Sequence, residues 1–272
     1  MEMSESGGAL HPYEYHGLMA STWDLFRGDT SGWEDRSAYL DLIRRHGQPV
    51  LDVGCGTGRL LLDFMGEGVD IDGVDLSPEM LALCRDKARR MGLAPTLHQS
   101  AMEDLTLPRR YRVILVPSSS FQLLVEPSLA RRAMERFLDH LVPGGILVMP
   151  FMILWKPGDP EDTGWTLTGE KLHPEDGAVV RRWSQARYDP LARLEHTQDR
   201  HRVIREGTLL AEEEHQRSPA TRWYSLDEAR DLFRQAGFEE PAAYQAFSQS
   251  PAQSGDTIFT LVGSRSMRTN AE

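Results

Sequence analysis

Short apolar runs and helical stretches alternate along the first part of the chain. A helix is predicted over residues 34–46, where Tyr39, Leu40 and Ile43 keep helical spacing and Gly47 marks the end. Apolar runs that suit buried strands follow at 49–53, 69–75, 96–99, 111–116 and 146–151. Helical stretches separate them at 59–65, 77–91 and 128–141. This alternation predicts a parallel sheet that helices cover on both faces.

The pattern changes after residue 151, where the stretches become longer and more polar. Those at 179–188, 193–205 and 208–217 predict an antiparallel meander. A capping box of Ser225 and Glu228 then opens a helix that ends at Gly237. Two strands, near 242–247 and 256–263, complete the predicted fold.

These patterns divide the chain into five predicted segments. They are an N-terminal helical lid (1–48), an α/β core (49–151), an antiparallel β insert (152–222), a completion of the core (223–263) and a flexible tail (264–272). We expect the insert to serve as a substrate cap or as a dimerisation surface. The patterns leave open whether the protein is a monomer or a homodimer.

Composition and charge narrow the class of protein. The chain has 272 residues and a formal net charge of −11, which repels a phosphate backbone, so we expect no nucleic-acid partner. The apolar run at 144–155 is interrupted by Pro150 and is shorter than the ~20 residues of a membrane span. No basic and apolar leader is present at the start, so we expect a cytoplasmic protein without a membrane partner. Cys55 and Cys84 suit neither a disulfide framework nor a zinc site, and no metal is expected.

The candidate chemistry begins directly after the first predicted strand, at V-L-D-V-G-C-G-T-G-R-L (50–60). Gly54, Gly56 and Gly58 allow a ligand to approach the backbone, and the helix that follows offers free N–H donors. The spacing differs from that of the dinucleotide fingerprint G-x-G-x-x-G. Asp52 adds a carboxylate that suits an ammonium-bearing ligand, which argues against NAD.

A second carboxylate follows the second predicted strand. Asp75 stands where a ribose diol would lie in a nucleotide-binding sheet of this type.

D-V-G-C-G-T-G-R-L and G-V-D-L-S-P-E-M-L resemble the first two motifs of the class I S-adenosylmethionine (SAM) dependent methyltransferases. Three further motifs follow in the family's order: H-Q-S-A-M-E-D-L (98–105), V-I-L-V-P-S-S-S-F-Q-L-L (113–124) and L-V-P-G-G-I-L-V-M (141–149). The sequence is most similar to the glycine and amino-sugar (desosamine-type) N-methyltransferases. The resemblance implies a Rossmann-like α/β fold with a seven-stranded, mostly parallel sheet, a C-terminal antiparallel strand and an antiparallel β insert after the fifth strand.

The resemblance also implies site residues. The cofactor SAM, with S-adenosyl-L-homocysteine (SAH) as product, would contact Trp23, Trp33, Asp52, Gly54, Cys55, Gly56, Gly58, Asp75, Leu76, Met80, Ala101, Met102, Glu103 and Val116. The substrate pocket would include Ser118, Ser119, Phe121, Gln122, Trp155 and Trp223. For the two tryptophans of this pocket, core packing and an aromatic substrate cage are both consistent with the sequence.

The sequence departs from the family pattern at two positions. Trp23 replaces a tyrosine that lies by SAM in the family, so a phenol role is not carried over. Ala101 stands where many relatives have an acidic residue that binds the adenine amino group, and Glu103 is a candidate substitute. No motif assigns a catalytic base.

The predicted function is methyl transfer from SAM to a small-molecule acceptor by in-line displacement. Such a reaction mainly requires alignment of the nucleophile with the leaving group. Because no base is assigned by motif, an amine nitrogen is the favoured acceptor. The alternatives are a small-molecule O-methyltransferase, a non-catalytic SAM-binding sensor or partner protein, and an aminopropyltransferase.

Overall fold

The computed structural model describes residues 13–267 as seven helices, eleven strands and two short 3₁₀ turns. The predictions for residues 1–12 and 268–272 lie outside the described residues. The helices are α1 (Gly17–Ser21), α2 (Trp23–Arg27), α3 (Glu34–His46), α4 (Arg59–Gly66), α5 (Pro78–Met91), α6 (Pro127–His140) and α7 (Leu226–Ala236). The strands are β1 (Val50–Val53), β2 (Ile71–Asp75), β3 (Thr96–Gln99), β4 (Tyr111–Leu115), β5 (Leu141–Met152), β6 (Thr166–Leu172), β7 (Val179–Asp189), β8 (Leu194–Arg205), β9 (Thr208–Arg222), β10 (Ala242–Gln245) and β11 (Ile258–Ser264).

Seven strands form the main sheet in the order β3-β2-β1-β4-β5-β11-β10. Strands β1 to β5 pair in parallel, and β11 is antiparallel to both of its neighbours. This confirms the predicted mostly parallel sheet with a C-terminal antiparallel strand. The strand order reverses between β1 and β4, and such a reversal opens a crevice at the carboxyl ends of the parallel strands.

Successive residues of each strand point to opposite faces of the sheet, and helices cover both faces. In β4, Val113 and Leu115 belong to a core cluster with α3, α4 and α5. Ile114 belongs to the other cluster, with α6 and α7. Helix α3, which the sequence assigns to the lid, thus packs into the core. The boundary at residue 48 stays a prediction.

Helix capping follows the sequence. The Ser77 hydroxyl accepts a hydrogen bond from the Met80 N–H at the start of α5, and Pro78 occupies the first turn. The capping box of Ser225 and Glu228 opens α7. Both cysteines are free and buried. Within residues 13–267, no helix is long and apolar enough to cross a bilayer.

A second sheet, β6-β7-β8-β9, is fully antiparallel and confirms the predicted insert. Strand β6 was missed in the sequence because its side chains are mostly exposed and lack an apolar alternation. Its Gly169 is required by packing, since a Cβ there would lie 2.6 Å from the Phe26 ring of α2. Several arginines of this sheet form ion pairs with carboxylates on neighbouring strands, including Arg181–Glu170 and Arg202–Glu212.

Histidines form the contact between the N-terminal helices and the insert. The rings of His16 and His215 lie 4.5 Å apart, and those of His201 and His215 lie 5.7 Å apart. The Thr22 hydroxyl lies 3.4 Å from His201 Nδ1. Burial, reinforced by nearby Arg182 and His215, lowers the pKa of His201 to about 4. This contact therefore favours the neutral imidazole.

We expect acid to weaken this contact. The folded pKa of His201 lies below its value of about 6.5 in an unfolded chain, so the unfolded state binds more protons between these values. His201 therefore lowers the stability as the pH falls from about 6.5 to about 4, by on the order of 1–2 kcal/mol at about pH 5.

Urea unfolding at about pH 7.5 and about pH 5 checks this expectation. The His201→Gln variant should lose less stability on acidification than the wild type, whereas the half-exposed control His173→Gln should behave like the wild type. Equal acid sensitivity of His201→Gln and the wild type would contradict it.

Candidate active site

A cavity of about 420 Å³ lies at the carboxyl ends of β1 and β2. The glycine turn after β1 and the end of β2 form its floor. Residues 13–15, Trp23 and Arg27 of the N-terminal segment and Arg217 of β9 close it from above. Twelve of the predicted site residues line it: Trp23, Gly54, Cys55, Gly56, Asp75, Leu76, Met80, Ala101, Met102, Glu103, Ser118 and Ser119.

The turn after β1 depends on glycine for two separate reasons. Gly54, Gly56 and Gly58 have φ angles of 72°, 54° and 83°, a region that side chains disfavour. A Cβ on Gly54 would also lie 2.9 Å from the Ser120 hydroxyl, whereas a Cβ on Gly56 would meet no atom within 4 Å. The Gly56 backbone is therefore open to an approaching ligand.

Asp75 joins this turn to the end of β2. Its Oδ2 accepts a hydrogen bond of 2.8 Å from the Gly56 N–H, and its Oδ1 accepts one of 2.8 Å from the Ser77 N–H. Burial raises the pKa of Asp75, and these backbone donors act against the rise. The carboxylate is thus held in one orientation at the cavity wall, where we propose that it binds a ribose diol.

The end of the cavity beside β3 is largely apolar. Leu76 is 41% exposed, and Met102 begins the 3₁₀ turn Met102–Asp104. Ala101 and Glu103 flank Met102 and also line the cavity. Arg132 of α6 fixes the turn by donating from Nε to the Glu103 carbonyl oxygen over 3.1 Å. A flat apolar group such as adenine fits this end, which supports the predicted adenine position as a proposal.

Arg27 brings a positive charge to the opposite part of the cavity. Its guanidinium lies 5.2 Å from the ring centroid of Trp23 and 5.3 Å from that of Trp33. Burial lowers the pKa of Arg27, and no ion pair links it to a carboxylate within residues 13–267. We propose that this cation binds the carboxylate of the methionine moiety.

Four predicted cofactor residues do not line the cavity. Trp33 lies on the outer side of Arg27 and also stacks against Arg59. Asp52 is 2% exposed, and burial raises its pKa to about 7 because desolvation outweighs the attraction of Arg59. Gly58 begins α4, where a Cβ would lie 2.6 Å from Cys84 Sγ. Val116 is fully buried in the core.

Four predicted substrate residues also do not line the cavity. Phe121 is fully buried and packs edge-on against Phe151. Gln122 is also fully buried: its Nε2 donates to the Met152 and Arg222 carbonyl oxygens, and its Oε1 accepts from the Met152 N–H. Gln122 therefore joins the ends of β5 and β9.

The two tryptophans of the insert lie elsewhere. Trp155 donates from Nε1 to the Asp159 carbonyl oxygen over 3.1 Å and borders a separate depression with Tyr188. Trp223 is 5% exposed, and its ring lies 6.3 Å from that of Tyr188. Neither tryptophan lines the main cavity, so the two do not form an aromatic substrate cage there.

Sequence reasoning missed several residues that the fold brings to the cavity. Among them are Glu14, Tyr15, Arg27, Ser77 and Arg217. Ser77 lies within the second motif, so its position along the chain could have indicated it. Glu14 and Arg217 lie far apart in sequence and carry no motif signal. The predicted roles of all lining residues remain proposals.

The residues present fit SAM. The open glycine backbone allows close approach of the ligand, and the fixed carboxylate of Asp75 suits its ribose diol. The apolar end suits adenine, and the half-buried Arg27 cation suits the carboxylate of the methionine part. When bound, SAM supplies an electrophilic methyl group on a sulfonium. No group of three or more metal-binding side chains occurs within residues 13–267.

Comparison with known proteins agrees with this fit. A family model described as a methyltransferase domain matches residues 50–145. A Streptomyces venezuelae dTDP-3-amino-3,4,6-trideoxy-alpha-D-glucopyranose N,N-dimethyltransferase is 32% identical over 84% of this chain and 88% of its own. A Streptomyces fradiae dTDP-3-amino-3,6-dideoxy-alpha-D-glucopyranose N,N-dimethyltransferase is 28% identical over 94% of this chain and 100% of its own. The crystal structure of Streptomyces venezuelae DesVI superposes with a TM-score of 0.69 and 26% identity, covering 93% of this chain and 100% of that one.

Fold, cavity and comparisons together define a class I SAM-dependent methyltransferase. The protein is an enzyme that uses SAM for methyl transfer. Within this class, the chain belongs to the family that contains the amino-sugar N,N-dimethyltransferases.

The proposed role of Asp75 can be measured directly. Asp75→Ala should weaken SAH binding about 10- to 100-fold, because a hydrogen bond to a charged group contributes about 1.5–3 kcal/mol. Isothermal titration of SAH into each protein gives the affinity, and a thermal melt shows whether the variant folds. Asp86→Ala, which changes an exposed carboxylate of α5, is the matched control. Unchanged SAH affinity in a folded Asp75→Ala variant would refute the assignment.

Proposed function

We propose that this enzyme methylates the amine nitrogen of a nucleotide-linked amino sugar. The observation that carries the proposal is the continuity of one cavity from the glycine turn and Asp75 to a polar half lined by Ser118, Ser119 and Arg217. Hydroxyl and guanidinium groups suit a hydroxylated, anionic acceptor. Two relatives that match this chain over most of its length are named for N,N-dimethylation of dTDP-linked 3-amino sugars.

The reaction requires little from the protein beyond alignment of the acceptor with the cofactor. The amine nitrogen must lie in line with the methyl–sulfur bond, and a rigid site lowers the entropic cost of that arrangement. The serines follow β4, and Ser118 adopts a positive φ of 58°, a strained backbone that orients this turn. We propose that Ser118 and Ser119 hydrogen-bond the sugar hydroxyls.

A smaller cavity supports the nucleotide-linked part of the proposal. It has a volume of about 160 Å³, adjoins the main cavity through Arg217, and is also lined by Arg187 and His196. Two arginines and a histidine in one recess outnumber its single carboxylate, Asp162. This recess can accept a diphosphate while the sugar enters the main cavity.

The acceptor class can be tested with purified protein and SAM. We expect methylation of dTDP-linked 3-amino sugars, with two methyl groups added per amine as counted by mass spectrometry. The matched control is the same sugar nucleotide with a hydroxyl in place of the amine. Methylation of the hydroxyl compound alone would make the protein an O-methyltransferase. Transfer to neither compound, with SAH binding intact, would refute the amino-sugar proposal.

The proposed diphosphate recess makes a separate prediction. Arg187→Ala should raise KM for the nucleotide-linked acceptor about 10-fold with kcat nearly unchanged, since a contact remote from the reacting atoms binds ground and transition states alike. Steady-state kinetics on the linked sugar and on the free amino sugar measure this difference. Arg205→Ala, which removes an ion-paired arginine outside the recess, is the control. An equal effect on both acceptors would contradict the assignment.

A further inference from the structure

Glu14 is a carboxylate at the roof of the cavity, which it lines. Its Oε2 is buried and has no hydrogen-bond partner within the described residues. A buried polar atom without a partner costs on the order of 1–3 kcal/mol. An unpartnered polar atom in the roof of a binding site is therefore a candidate for a ligand contact.

The segment that carries Glu14 is fixed at three points. The Tyr15 carbonyl oxygen accepts from the Ser77 hydroxyl over 2.5 Å. The Gly17 N–H donates to a Glu79 carboxylate oxygen, and the Leu18 N–H donates to one of Glu213, each over 2.6 Å. These bonds join the segment to α5 on one side and to β9 on the other. Glu14 is therefore held between the SAM-binding core and the insert.

The other carboxylates near Glu14 already interact with groups of the insert. Asp199 of β8 accepts from Arg182 of β7 over 2.9 Å and from the Ser184 hydroxyl over 2.6 Å. Burial raises the pKa of Glu195 of β8, and interactions with Thr221 and Tyr188 act against the rise. Their side chains are thus engaged within the insert, whereas Glu14 faces the open space.

Arg217 is the cation that shares the cavity with Glu14. No ion pair joins the two side chains within the described part of the chain, although both line the same space. Burial raises the pKa of Glu14 to about 7, opposed by Arg217 and Arg182 and reinforced by Asp199 and Glu195. A carboxyl group with this pKa exchanges its proton readily near neutral pH.

The remaining carboxylates of the cavity are placed for other roles. Asp75 accepts backbone hydrogen bonds through both oxygens. Glu103 lies beside Met102 at the apolar end. Glu14 is therefore the carboxylate in the half of the cavity that contains Arg217 and the serines.

We propose that Glu14 binds the acceptor's amine and takes up the proton that the amine releases on methylation. This inference rests on the proposed function, since it requires a nitrogen acceptor. The amine nitrogen forms a bond to the methyl carbon while the methyl–sulfur bond breaks and its electron pair stays on sulfur. The resulting ammonium transfers one proton to the Glu14 carboxylate, which releases it to solvent. Loss of that proton restores the lone pair that a second methylation needs.

The test uses full-length Glu14→Gln, which keeps the size of the side chain and removes its basicity. We expect kcat on the amino sugar to fall about 100-fold, within the usual range for loss of a general base. The wild-type rate should rise with pH through an apparent pKa near 7, because the ionised carboxylate is the active form. This rise should be absent in the variant, and Glu14→Asp should partly restore it.

Binding measurements provide a readout that does not depend on turnover. In the presence of SAH, Glu14→Gln should weaken binding of the amino sugar nucleotide about 10-fold and leave that of the hydroxyl counterpart unchanged. SAH affinity itself should stay within about 2-fold of the wild type. Glu175→Gln, the same change at an exposed turn residue, should match the wild type in every assay.

Distinct results overturn the inference and the function on which it rests. If the wild type methylates the amine and Glu14→Gln keeps its rate and pH profile, Glu14 is not the base and the proposed function stands. If Glu14→Gln loses SAH affinity to the same extent as activity, Glu14 has only a structural role. If the wild type binds SAH but methylates no amine, the proposed function and the inference both fail.

Discussion

The hydrogen bond from the Gly56 N–H to the Asp75 carboxylate is the contact on which the site depends. It forms because β1 and β2 pair in parallel with Val53 opposite Val74, which places the two strand ends side by side. The N–H groups of Gly54 and Cys55 also donate to the Val74 carbonyl oxygen. The floor of the cavity is thus made of backbone groups and one carboxylate, all fixed by strand pairing. A cofactor that binds here meets a preorganised surface.

The roof of the cavity is held together by hydrogen bonds between separate segments rather than by strand pairing. It brings together residues 13–15 and α2 with β9, which lies almost 200 residues further along the chain. Hydrogen bonds hold these parts together, from the Ser77 hydroxyl to Tyr15 and from the Leu18 N–H to Glu213. Buried His201 and His215 fill the space between the N-terminal helices and the insert. A polar roof of this kind can present charged groups to an acceptor while the apolar core below carries the stability.

The two parts of the fold differ in how far the sequence predicted them. The core was predicted because burial on both faces of a parallel sheet demands apolar runs, and because Ser77 and Ser225 mark helix starts chemically. The insert was predicted as a meander, but β6 was missed. Its side chains are mostly exposed, and β6 is held to β7 by backbone hydrogen bonds and an ion pair. Neither kind of contact requires a periodic pattern of apolar residues. The packing of α3 into the core also became evident only from the tertiary contacts.

The candidate site divides in the same way. The glycine turn, Asp75 and the residues around Met102 were predictable at one site, since each follows a strand closely and strand ends meet at one edge of the sheet. It misjudged Gln122, because a polar residue after β4 carries no sign of whether it faces ligand or backbone. That Glu14 and Arg217 share one cavity is evident from the folded chain alone. Their approach depends on long-range contacts between separate segments, and such contacts leave no local pattern in the chain.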